Sequence, residues 1–156
     1  MKRLVRSSAL IAAFVLGGAA VAYGQAAAPA AAVAPAALDM KGGWSGTGKA
    51  IVEGMAAHHP AGEPAKTAGP DRLREVTFTY KIDGQDGGRF WGTMSSPYRV
   101  EPVIGVIAAD GKRVYIVTQD GFVDGVVVDN DTIDTCYRQR LPGSAVAACN
   151  VIKRKK

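Results

Sequence analysis

The sequence is short of the residues that catalysis and metal binding usually need. Of its 156 residues only two are cysteine and two histidine. His58 and His59 stand far upstream of Cys136 and Cys149, so a four-ligand zinc site has no ligand set. No Gly-rich phosphate loop with its Lys, no Gly-x-Ser-x-Gly elbow and no spaced histidine pair occurs. No catalytic residue and no cofactor is therefore assigned, and the chain reads as non-enzymatic. A clustered basic surface is missing too. Seven of the 19 Lys and Arg are Lys2, Arg3, Arg6 and the terminal Lys153-Arg154-Lys155-Lys156, leaving 12 basic against 14 acidic residues between them. That balance argues against a nucleic-acid partner. His58 and His59 lie in a loop beside Pro60, where adjacent side chains face apart and bind a metal weakly, so no metal is expected. Asp83, Asp86, Asp110, Asp120, Asp129 and Asp131 all fall at turn positions, where a carboxylate caps the local backbone.

What is present begins with an address. Residues 1 to 24 run from a basic start through the apolar stretch Ala9 to Ala22 to small residues around Ala22-Tyr23-Gly24, the three parts of a secretory signal peptide. The apolar stretch would rise only about 21 Å as a helix, against a hydrocarbon core of roughly 30 Å, so it is too short to be a membrane anchor. Residues 25 to 39 are almost all Ala and Pro and read as a spacer. The folded domain is expected from 40 to 156 with a basic C-terminal tail, in a periplasmic or secreted protein that does not span the membrane.

That domain carries no convincing helical period, but eight strand-like runs separated by turn signals. The runs are Trp44 to Val52, Val76 to Ile82, Phe90 to Ser95, Val103 to Ala109, Val114 to Gln119, Phe122 to Val128, Thr132 to Gln139 and Val146 to Ile152. Short connections favour antiparallel neighbours, and closure removes the open edges, so the expected fold is all-β: an eight-stranded antiparallel up-and-down barrel. Strands of about seven residues, shorter than the nine to eleven of a membrane barrel, argue against an outer-membrane protein.

The Asp-Gly pairs fix faces. A two-residue hairpin at Asp120-Gly121 sets Val114, Ile116 and Thr118 opposite Val127, Gly125 and Val123, and one at Asp110-Gly111 adds Val103, Gly105 and Ile107 to the same uncharged face, which is taken as the interior. The outer face then holds Ile104, Val106, Tyr115, Val117, Val126 and Val128, too apolar to stay wet. A second copy of the chain, an envelope protein or the spacer are its candidate covers. A hairpin at Pro142-Gly143 sets Cys136 opposite Cys149 on the outer wall, within reach of a structural disulfide. Gly105 and Gly125 flank Ile116 and leave a hollow, to be filled by a ligand or by a large side chain such as Trp44, Trp91, Phe78 or Tyr80.

Gly42-Gly43-Trp44 on the first strand and Lys153-Arg154 at the end of the last resemble the calycin superfamily of lipocalins and avidins. The resemblance implies that Trp44 plugs one end beneath Arg154 or Lys153, and that the loop from 54 to 70 covers the other. A small apolar ligand would then lie among Phe78, Tyr80, Ile107, Ile116 and Tyr137. The alternative use is a protein-interaction module, an inhibitor or assembly factor, acting through the outer apolar patch.

Overall fold

A computed structural model of the chain describes residues 38–59 and 73–156. The leader, most of the spacer and the greater part of the 54 to 70 loop lie outside the described residues. The described chain forms β1 (Gly42–Gly54), β2 (Leu73–Asp86), β3 (Arg89–Ser95), β4 (Val100–Ile107), β5 (Arg113–Val117), β6 (Phe122–Asp129), β7 (Thr132–Leu141) and β8 (Ser144–Arg154). Each strand pairs antiparallel with the next, and β8 returns to β1, closing an eight-stranded up-and-down barrel. The period of two shows in the burial: along β4, exposed and buried residues alternate at every position.

Where Asp110-Gly111 joins β4 to β5, Ile104 faces Val117 and Ile107 faces Val114, as the two-residue turn requires. Gly111 takes φ 68°, and Asp110 accepts a hydrogen bond from the Lys112 amide. The next connection differs from expectation. Val114 faces Gly125 and Ile116 faces Val123, a slip of two positions. Thr118 leaves the strand and caps the turn instead, its Oγ1 accepting from the amides of Asp120 and Gly121 at 3.3 and 3.0 Å. An even slip leaves every side chain on its original face, so the interior set survives the error. At the third turn Cys136 faces Cys149, and the two form a disulfide on the outer wall with Cα atoms 4.1 Å apart.

The hollow beside Gly105 and Gly125 is filled, though by none of the four side chains expected. A Cβ on Gly105 would lie 2.2 Å from the Phe90 ring, and one on Gly125 would lie 2.9 Å from Ile133. Trp91 is on the outside, with its ring laid over Gly84 at the bulge of β2, and only a glycine permits that approach.

Large residues concentrate at one pole. Trp44, Met40, Phe90, Ile133 and Ile152 are buried there almost completely, joined by Leu38, which belongs to the packed body although it was assigned to the spacer. Trp44 Nε1 donates to the Met40 carbonyl at 2.8 Å. The Arg154 guanidinium lies 4.2 Å above the Trp44 ring centroid, while Lys153 pairs with Ser45 and Thr132 on the outer side. Arg154 also donates to the carbonyls of Lys41, Asp39 and Asn130 and to the Asp131 carboxylate, lacing the ends of three strands across the pole.

Among the described residues no helix is long and apolar enough to cross a membrane. The strand-length argument against a membrane barrel fails, because β1 and β2 run 13 and 14 residues. Lys49, Glu75, Lys81, Arg138 and Arg140 stand on the outer wall.

Candidate functional site

Opposite the plug, the inner wall loses bulk on one side. β1 and β8 present Gly48, Ala148 and Asn150 where larger residues would meet Phe78 and Tyr80 of β2, Met94 of β3, Val123 of β6, and Tyr137 and Gln139 of β7. The result is a mainly apolar chamber with a free volume of about 20 Å³, room for a single water molecule. Its roof is the continuation of β1. At Gly54, φ is 71° and a Cβ would lie 1.8 Å from the Gly143 carbonyl oxygen, so only glycine lets the chain turn there. The His59 amide then donates to the Ala56 carbonyl at 2.9 Å, and the tight turn swings Ala56, His58 and His59 inward over the mouth. Both imidazoles pack edge-on to Phe78, with centroids 5.6 and 6.1 Å from its ring. The two histidines are therefore buried on one face, not splayed on a surface loop. Among the described residues no three His, Cys, Asp or Glu side chains converge as metal ligands.

Beside this roof sits a carboxylate that sequence reading placed outside the strand. Glu101 occupies an inward position of β4, and its side chain is 0% exposed. His58 Nε2 stands 3.4 Å from one carboxylate oxygen and Arg99 Nε 3.6 Å from the other, yet neither oxygen has a hydrogen-bond partner. Arg99 turns Nη1 to Asp120 at 2.8 Å and Nη2 to Gln119 at 2.7 Å, leaving only Nε towards Glu101. His58 Nδ1 meets the Ser96 hydroxyl at 2.8 Å, and Ser96 Oγ accepts from the amides of Tyr98 and Arg99, each at 3.2 Å. With both lone pairs used, the Ser96 hydrogen points at Nδ1, which leaves the imidazole proton on Nε2, facing Glu101. Ser96 acts as a turn cap in this arrangement.

Burial chiefly, then the neighbouring His58 and Arg74, hold the His59 imidazole down to about 4. Burial likewise raises the Tyr80 phenol, with Tyr137 and Glu101 adding, and pushes Tyr137 up to about 12, with Glu101 and Asp120 adding. The charge of Glu101 thus reaches both tyrosines of the chamber wall. Four buried polar atoms in this one region, His58 Nε2, His59 Nδ1 and both Glu101 oxygens, are without partners, whereas buried polar groups are ordinarily paired.

Of the five interior residues expected to hold a ligand, Phe78, Tyr80 and Tyr137 line this chamber. Ile116 stands between Gly105 and Val123 and does not line it, and Ile107, at the far end of β4, belongs to the plug cluster. Glu101 was missed because Pro102 made the strand seem to begin at Val103. Continuing the period backward from Ile107, Gly105 and Val103 would have put a charge at an interior position. Pro102 is tolerated because β4 pairs there only with β3; its pairing to β5 starts at Ile104.

The outer patch is also resolved into rows. Trp91, Ile104, Val117 and Phe122 form one unbroken apolar ladder across β3 to β6, and Val106 and Tyr115 stand in the next row between Arg89 and Asp124. Val126 lies a further row away between Arg113 and Asp134, and Val128 lies beyond it near the end of β6, so these two are exposed but off the ladder. No family model, curated protein or solved structure matches this chain.

Proposed function

We propose that the protein is an exported, calycin-like binding barrel that takes a small, largely apolar molecule into its open half and performs no chemistry on it. The carrying observation is the asymmetry of the interior, with one pole packed solid around Trp44 and the other hollowed by Gly48 and Ala148 beneath a short strap. Small ligand sites have this character: mainly apolar walls and a few convergent polar groups. Export is supported by the disulfide and by the leader-like residues 1 to 24, and the calycin reading by Arg154 over Trp44 in a closed barrel. The chamber is nearly full when the strap is down, so uptake requires residues 55–59 to lift. Native mass spectrometry of protein from its own cell envelope, with titration of the neutral fluorophore N-phenyl-1-naphthylamine, tests this. Saturable one-to-one uptake that Ala148→Phe abolishes is expected; no retained mass and no saturable uptake rejects it.

A second reading is favoured by the apolar ladder on β3 to β6, which suits association with a second copy of this chain. Its marginal charges are already paired, Arg89 with Asp86, Arg113 with Asp110 and Arg138 with Asp124, so they do not select a partner of opposite sign, and a like apolar face is complementary. The double change Val106→Lys with Val117→Glu should convert a dimer to monomer in sedimentation with the fold kept. A wild-type monomer at all concentrations rejects it.

A further inference from the structure

We infer that the molecule taken into the chamber carries a primary amine, and that its ammonium group seats on Glu101. This rests on the chamber being a ligand site and adds the chemistry of the head group. Glu101 stands behind His58 of the chamber lining, with no exposed side-chain surface and no hydrogen bond to either oxygen, though Arg99 and His58 lie in ion-pair range. A buried carboxylate without hydrogen bonds costs several kcal/mol, and such a residue persists where something else completes it. The groups within contact distance do not. Glu101 and Asp120 bring two negative charges to Arg99's single positive one; Nη1 and Nη2 go to Asp120 and Gln119, and Nε stands 3.6 Å from Glu101, beyond hydrogen-bond reach. His58 Nε2 faces Glu101 at 3.4 Å but out of hydrogen-bond alignment. A water molecule fits the free volume but supplies no charge.

The unpartnered atoms also match a head group by kind. An ammonium has three donors and no acceptor. Both Glu101 oxygens can accept. A carboxylate head would meet Glu101 as a like charge, and a hydroxyl would supply one donor and no charge. Phe78, Met94, Val123 and Ala148 give the apolar body its walls. One amine at one end of an apolar body is the class that fits.

The test is isothermal titration of the full mature chain with n-octylamine, n-octanol and n-octanoate at neutral pH, repeated with Glu101→Gln, whose side chain is nearly isosteric. Charge-assisted hydrogen bonds predict that wild type binds octylamine about tenfold more tightly than octanol, with octanoate weakest. Glu101→Gln should bring octylamine to the level of octanol and leave octanol itself unchanged. Equal affinity for amine and alcohol in wild type, or an amine preference that survives Glu101→Gln, overturns the inference while leaving the apolar binding site standing. Failure of all three probes to bind wild type overturns the site as well. If Glu101→Gln does not fold, the wild-type order of the three head groups decides.

Discussion

At the plug, Trp44 is hydrogen-bonded and capped by an arginine that binds three backbone carbonyls and a carboxylate. At the mouth, a carboxylate and two imidazoles are buried with four side-chain atoms unpartnered, and they are the only such atoms among the described residues. The same barrel thus contains one region where burial is fully compensated and one where it is not. Stability should come from the first, and the second should respond to what it binds. Substitutions at the two poles ought therefore to differ in sign, not only in size.

The largest effect is expected at the plug. Trp44→Ala removes a side chain with no exposed surface and should cost about 3–5 kcal/mol. That corresponds to a fall in melting temperature on the order of 10–20 °C by differential scanning calorimetry. A melting temperature within a degree or two of wild type would erase the distinction between the poles.

Next comes the disulfide, which pins β7 to β8 beside Tyr137 and Ala148 of the chamber wall. Reduction of its 13-residue loop should lower stability by about 3 kcal/mol in urea titrations. Hydrogen exchange should rise more in β7 and β8 near the mouth than at Ile133 and Ile152; uniform loosening would contradict this.

The sign should reverse at Glu101. Glu101→Met replaces a buried carboxylate that makes no hydrogen bond with an apolar chain of similar length and should stabilise the ligand-free protein by about 1–3 kcal/mol. A clear destabilisation would mean that Arg99 and His58 already satisfy the carboxylate, and the mouth would then resemble the plug.

The smallest effect is local and depends on pH. The pKa of His59 in the closed strap, about 4, lies below its ordinary 6.5. Its contribution is therefore complete above about pH 6.5 and is lost as pH falls toward 4. The protection factor of the His59 amide, which bonds the Ala56 carbonyl, should decline across that window. A flat profile, matched by His59→Phe, would detach the strap from the titration of this residue.

Much of the barrel was legible in the sequence because its information is local. Period-two alternation and the Asp110-Gly111 and Pro142-Gly143 turns suffice to align β4 with β5 and Cys136 with Cys149. The slip at Thr118 was illegible because a hydroxyl, not the Asp-Gly pair, closes that turn. The choice of Phe90 over Trp91 for the hollow depends on Gly84 receiving the indole from a neighbouring strand, a match across chains of residues that no run of sequence displays. Glu101 and the paired histidines were hidden for a similar reason. Each looks like ordinary surface polarity until the turn at Ala56–His59 and the reach of β4 past Pro102 bring them under one roof.

The lacing of Arg154 to Lys41 spans 113 residues of sequence, and this limits when the molecule can fold. β1 lacks its second neighbour until β8 has been synthesised, and Trp44 remains uncapped until residue 154 is available. Non-local closure of this kind is slow. A nascent chain would therefore emerge without a finished barrel, and its two halves could be sealed together only once the last strand had been made.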